Sequence, residues 1–232
     1  MRKLLGTLDG RYFWMMSLGS YCAVDTEKCI ARSARLFKEG VLSKCEPGSK
    51  ASSCVWLPVS ERRASYCYGI KELGNQVYDK VMEFLNIETD PVERERLISA
   101  LGCHKDVSVL RSTLELATNR ELFRLQEVSS VFGGVASNFA AKELVFNFLL
   151  ENWNKIYRRL RGQFLILNKV IELCLNVGYT EEHYYKIKNF MSEHKEAAEL
   201  NQFHKALEIV RTRIAWIHDH LNTLLDYFQQ NQ

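Results

Sequence analysis

The chain has 232 residues, 47% hydrophobic and 25% charged, with only three prolines and twelve glycines. This composition excludes disordered, collagen-like and low-complexity classes. The formal net charge is +3, with acids and bases interspersed, which excludes the basic stripe of a nucleic-acid binder.

The opening, MRKLLGTLDGRYFWMMSLGSYCA, has the basic start, apolar run and small residues of a signal peptide. Asp9 and Arg11 interrupt the run and aromatics replace its usual leucines, so residues 1–20 read as a truncated leading helix or remnant. Residues 21–232 then form one helical domain. Ala23 to Leu42 reads as a helix with Ile30, Ala34, Phe37 and Leu42 inward. The Ser-, Pro- and Gly-rich stretch 43–59 predicts the longest loop. Ser60 is expected to cap a helix ending at Gly74, and Gln76 to Leu85 supplies the next. Asp90 as N-cap, Pro91 at the first helical position and Glu93 three residues on form the clearest helix start, and that helix ends near Gly102.

Asp106 to Ala117 and Glu127 to Val135 follow, and then one long helix from Asn138 to Arg161. Its face is Leu144, Val145, Phe148, Leu149, Trp153, Ile156, Tyr157 and Leu160, at steps of three and four. Arg158, Arg159 and Arg161 crowd its last turn, where cations complement the carbonyl end, a simpler reading than a phosphate site. Gly162 is expected to supply a left-handed stop. Phe164 to Asn176 and Glu181 to Glu193 come next. The last helix, Asn201 to Gln229, places Phe203, Leu207, Val210, Ile214, Ile217, Leu221, Leu224 and Phe228 in a heptad seam, expected to pack along a helical array. No run alternates with period two between hairpin turns, so no sheet is expected. No run reaches the roughly eighteen apolar residues of a membrane span. Short links between antiparallel helix pairs predict an all-α fold, a right-handed α-helical solenoid of the HEAT or armadillo kind.

Seven cysteines occur, none in a C-x-x-C arrangement, which argues against a zinc ribbon or thioredoxin-like site. Cys174 lies on an apolar helix and reads as a buried thiol. Of the histidines, His218 and His220 are two apart on a helix and point about 200° apart, so they cannot share one ion and read as surface residues. No G-x-S-x-G elbow or local Cys/His signature is present.

Several phrases recur together. The run YCYGIKELG, the thirty-six-residue step from Cys67 to Cys103 in ALGCHKD, FRLQEVSSVFGG and ELVFNFLLENWNKI resemble the C-terminal helical domain of zinc aminopeptidases: aminopeptidase N, aminopeptidase A and the endoplasmic-reticulum aminopeptidases. The resemblance runs in order from about residue 20 to 229. It implies disulfides pairing Cys22 with Cys29 and Cys67 with Cys103. Cys45 and Cys54 depart from the family pattern, and either pair across their loop or stay free.

The family's reaction needs zinc on H-E-x-x-H plus a distal glutamate, and a Gly-Ala-Met-Glu-Asn segment gripping the substrate amine. Neither motif is in this sequence. The resemblance therefore implies a chain inactive alone and without a cofactor, whose zinc belongs to a catalytic domain elsewhere in a parent enzyme. Its implied role is that of a lid that encloses the peptide cavity and assists folding. Lys105, in CHKD, and Arg124, in FRLQE, match basic positions of the family and are candidate contacts for a peptide carboxylate. The simpler alternative leaves Lys105 solvated and pairs Arg124 with an acid such as Glu127. The implied partners are the catalytic domain, peptides and a homodimer through the parent, on the extracellular face of the plasma membrane or in the secretory lumen. Tyr12, Phe13, Trp14 and Met15 read as remnants of a face toward the other domains. The competing reading is a stand-alone helical-repeat interaction module.

Overall fold

The structure, a computed structural model, describes residues 26–119 and 122–230. Cys22, Tyr12, Phe13, Trp14, Met15 and the leading segment 1–20 lie outside the described residues. Thirteen α-helices and no strand occur among the described residues. They fall into two compact units, Met1–Ala141 and Lys142–Gln232.

In the first unit, α1 (Thr26–Phe37) runs into a π-turn at Lys38–Leu42, and is followed by α2 (Ala51–Cys54), α3 (Val59–Leu73), α4 (Asn75–Ile87), α5 (Pro91–Leu101), α6 (Val107–Thr118) and α7 (Val128–Ala136). Short 3-10 turns at Leu125–Glu127 and Phe139–Ala141 flank α7. Helix α1 packs on α3, α3 on α5 and α5 on α7, while α4 lies against α3 and α5 and α6 against α7. Alternate helices thus stack in a row whose core holds Phe37, Tyr66, Ile70, Phe84, Leu97, Leu101, Leu114 and Phe132. Burying each such apolar side chain stabilises the fold by about 1.5–3 kcal/mol. At one crossing the backbones touch: a Cβ on Gly102 would lie 2.1 Å from the carbonyl of Gly134.

Local chemistry sets the helix ends. Asp90 accepts the N–H of Glu93 at 2.7 Å, and Pro91 needs no donor at the first helical position. Gly74 ends α3 with φ of +61°, where a side chain would be strained. Ser60 is not the cap expected of it. Pro58, with its fixed φ, takes that place, and Ser60 lies inside the first turn. The stretch 43–59 contains α2, held by Glu88, whose buried carboxylate accepts the N–H groups of Ser52, Thr89 and Asp90 and the Ser52 hydroxyl.

The second unit comprises α8 (Lys142–Glu151), α9 (Trp153–Leu160), α10 (Phe164–Leu175), α11 (Glu181–Glu193), α12 (Lys195–Ala198) and α13 (Asn201–Gln230). Helix α10 packs on α8, α9 and α13, and α11 packs on α12 and α13. At the centre stands Trp153, its ring against Phe190 and Phe203 with centroids at 5.9 and 5.4 Å and its N–H donating to Glu196 at 2.7 Å.

Three expectations need correction here. The long helix from Asn138 to Arg161 is broken: residues 139–141 form a 3-10 turn, and Asn152, at φ −109° and ψ 16°, separates α8 from α9. Asn152 sends both its N–H and its side-chain amide to the carbonyl of Phe148, the competition that makes asparagine a poor helix-interior residue. Gly162 is not left-handed, since among the described residues only Gly48 and Gly74 have positive φ. The turn after α9 closes instead by Gln163 N–H on the carbonyl of Leu160 at 2.7 Å. Finally, no seam residue of α13 beyond Val210 is fully buried, and Ile214 and Ile217 are half-buried. Phe203, Ala206 and Val210 are buried, whereas Leu221, Leu224 and Phe228 are exposed.

Candidate functional site

The candidate residues cluster along the row of the first unit. Cys67 on α3 and Cys103, just beyond α5, are disulfide-bonded with Cα atoms 5.2 Å apart, which staples two neighbouring helices of the row. Cys45 and Cys54 are also bonded, Cα to Cα 5.1 Å, and close the loop before α3. Cys29 is buried in α1 and disulfide-bonded.

The corner after Cys103 is built rigidly. Buried His104 accepts the Asp106 N–H on Nδ1 at 3.0 Å, and the Asn138 amide donates to the carbonyls of Gly102 and His104, both at 2.9 Å. Asp106 in turn caps α6 by accepting the Ser108 N–H at 2.8 Å. Lys105 projects from this corner, its side chain 63% exposed, with Nζ 3.9 Å from Glu72. At such exposure an ion pair contributes little, so the ammonium stays available to another anion.

Arg124 precedes the turn into α7 and is exposed. Its backbone N–H donates to Glu127 Oε2 at 2.9 Å, but the ion-pair partner of Glu127 is Arg94, which grips it through Nε at 2.6 Å and Nη2 at 2.8 Å. Arg94 also donates to the carbonyls of Leu85 and Glu88. Burial pushes the Glu127 carboxyl up, but the Arg94 guanidinium and the Arg124 N–H outweigh it and hold the group below its usual range. Hydrogen bonding to Glu127 raises the Arg94 guanidinium further. Beside this pair, the Tyr66 hydroxyl donates to Glu93 at 2.5 Å, and Glu93 is bracketed by Arg62 at 3.2 Å and Arg96 at 2.6 Å. Burial first, then the Glu93 charge, drives the Tyr66 hydroxyl far above its usual range.

Sequence reasoning missed both networks, although a signal was present. Arg94 falls on the same helical stripe as Leu97, Ile98 and Leu101, and an arginine on a buried stripe needs an acid. Glu93 read only as part of a helix start, yet its side chain turns inward to Tyr66.

The remaining chemistry-bearing residues are tied into structure. Cys174 is fully buried, and burial drives its thiol far above the range where thiolate forms. His183 is buried between Glu143, at 2.8 Å from Nε2, and the Thr180 hydroxyl, at 2.6 Å from Nδ1, and so fastens α8 to the capped start of α11. His218 and His220 are exposed, the first on Asp219 and the second tilted against Trp216. Among the described residues no group of three or more His, Cys, Asp or Glu side chains is placed to hold a metal ion.

These features define an all-α, disulfide-stapled scaffold that presents cations on rigid corners. A family profile described as the ERAP1-like C-terminal domain matches residues 8–212, and the chain belongs to that family. It is similar to aminopeptidase N of Haemonchus contortus, 34% identical over 212 residues that make up 90% of this chain and 22% of the relative. Human aminopeptidase N is 22% identical over 99% of this chain and 23% of its own length, and human glutamyl aminopeptidase 24% identical over 91% and 21%. The chain therefore spans about a fifth of the length of these relatives.

Proposed function

We propose that residues 21–232 act as the noncatalytic C-terminal domain of a zinc aminopeptidase, closing over the peptide cavity and assisting the folding of a catalytic domain that carries the zinc. The observation behind this reading is the family match over residues 8–212, together with relatives that are similar over only about a fifth of their length. In this reading the row of alternately stacked helices is part of a right-handed, HEAT-like solenoid. Lys105 and Arg124 meet the free carboxylate of a peptide whose amino end lies at the zinc. The partners are the catalytic domain, peptides and a homodimer through the parent enzyme, and the disulfides fit an extracellular or lumenal place for that parent.

Two measurements test this. The purified chain, supplied with zinc, should release no N-terminal residue from a peptide. An antibody against residues 201–229 should detect, in source tissue, a band far larger than 27.0 kDa. Aminopeptidase activity of the pure chain, or a band only near its own mass, would overturn the proposal. The second result would favour the stand-alone interaction module, a reading supported by the exposed apolar seam of α13.

A further inference from the structure

Helices α9 and α10 meet at a corner that projects from the second unit. Arg161, Gly162, Gln163, Phe164 and Leu165 are exposed in succession, and a Cβ on Gly162 would meet nothing within 4 Å. Phe164 is 61% exposed and Leu165 87%, the highest exposure of any large apolar side chain among the described residues. Both stand in the first turn of a helix whose later residues Leu167, Val170 and Ile171 are buried, so the core does not need them.

The charge around this corner is of one sign. Residues 152–171 hold Lys155, Arg158, Arg159, Arg161 and Lys169 and no acid. Lys155, Arg158 and Arg161 follow at steps of three, on the side of α9 opposite the buried Trp153, Ile156 and Leu160. All three are exposed and none meets a carboxylate among the described residues, Arg158 donating to the carbonyl of Asn154 in its own helix at 3.0 Å. A helix dipole explains cations in the last turn. It does not reach back to Lys155, and it does not account for the apolar pair beside them.

The two features together choose a covering. A sulfated polysaccharide or a free phosphate satisfies the cations but has no use for Phe164 and Leu165. A bilayer with anionic headgroups takes both at matching depths: apolar side chains enter the acyl boundary, while Lys and Arg extend their stems and leave their charges among the phosphates. The lack of acids on this stretch fits the same surface, since a carboxylate facing it would be repelled.

We propose that this corner is a membrane-docking site, with Phe164 and Leu165 entering an anionic lipid surface and Lys155, Arg158 and Arg161 resting on its headgroups. Docking of this kind lies on a bilayer without crossing it, and no helix among the described residues is long and apolar enough to cross one. Every residue involved belongs to the second unit, and the proposal does not rest on the lid reading.

The test is flotation of the purified 232-residue chain with vesicles of phosphatidylcholine and phosphatidylserine in equal parts, beside vesicles of phosphatidylcholine alone. The chain should float with the mixed vesicles and far less with the neutral ones. The Lys155→Gln, Arg158→Gln, Arg161→Gln chain should bind the mixed vesicles about a hundredfold more weakly, at roughly fivefold for each cation. The Phe164→Ser, Leu165→Ser chain should not bind them. Both variants should keep their helical circular dichroism, because all five side chains are exposed. A nitrobenzoxadiazole probe on Leu165→Cys should brighten and shift to the blue with mixed vesicles, and the same probe on Ser192→Cys, exposed on α11, should not. Cys174 is fully buried and stays unlabelled. No flotation, equal flotation with both vesicles, flotation indifferent to either set of substitutions, or a probe at Leu165→Cys that does not respond would each overturn the proposal. So would retention on heparin through the same cations without flotation, which would make the corner a polysaccharide site. None of these outcomes bears on whether the chain serves an aminopeptidase.

Discussion

Glu127 is 8% exposed and keeps its charge because Arg94 meets it with two hydrogen bonds. Removing one partner of such a pair strands the other without solvent or counter-charge. Arg94→Ala should therefore lower unfolding stability by about 3–5 kcal/mol, read as a reduced midpoint in urea. Glu88 is another buried carboxyl held low: burial raises it, but the N–H groups of Ser52, Asp90 and Thr89 and the Ser52 hydroxyl more than offset this. A carboxyl depressed on folding contributes stability that is fully present above its unfolded value and lost as pH falls through the folded one. Thermal melts should thus hold steady above the ordinary carboxyl value of 4.5 and fall below it. Glu88→Gln should lower the melting temperature near neutrality and flatten its acid limb. Of these residues only Arg94 left a trace in the sequence, as a cation on an apolar stripe. The partner of a buried ion is fixed by tertiary approach across thirty or more residues, which no local pattern encodes.

Elements were legible where their ends carry their own chemistry. The start of α5 is fixed by Asp90 and Pro91, and the end of α3 by Gly74, and the structure places both where these residues indicate. The break at Asn152 was hidden because the apolar period runs through it: Leu149 and Trp153 remain four apart whether or not the helix is continuous. Ser60 misled for a related reason, since a good capping residue two positions after Pro58 lost to the constraint that proline imposes. The contact between Gly102 and Gly134 is likewise silent in sequence, because a glycine at a helix end reads as a stop. Here it is also a point of helix crossing, and the atoms a Cβ would strike are backbone. Gly102→Ala should cost about 3 kcal/mol, the upper part of the range for overpacking, whereas the same change at Gly162, which has open space around it, should be close to neutral. Denaturant midpoints of the two variants, compared side by side, check this.

For the molecule as a whole, the all-α class followed from periodicity and the lack of strand signals. The division at Ala141 and Lys142 did not, because the chain crosses it with only a 3-10 turn and no linker composition. The candidate cations Lys105 and Arg124 could be named from the resemblance, but their settings could not. Glu127, the acid suggested for Arg124, takes Arg94 as its ion-pair partner, and Lys105 sits on a corner that His104 and Asn138 build from separate stretches. The disulfides constrain the chain unequally, since Cys67–Cys103 spans 36 residues and Cys45–Cys54 only 9. On the chain-entropy model the longer loop contributes about 4 kcal/mol and the shorter about 3. The Cys67→Ser, Cys103→Ser chain should accordingly melt lower than the Cys45→Ser, Cys54→Ser chain.

The placement of Trp153 gives the protein an optical gauge of its own. Trp56 and Trp216 are 78% and 51% exposed, while Trp153 is 1% exposed and hydrogen-bonded to Glu196. Iodide should quench the emission of the first two and leave Trp153 bright and blue-shifted. With Trp14, Trp56 and Trp216 replaced by phenylalanine, the remaining fluorescence should report opening of the second unit alone. Its loss of blue shift, followed against denaturant beside the circular dichroism of the whole chain, would reveal whether that unit melts in step with the rest or by itself.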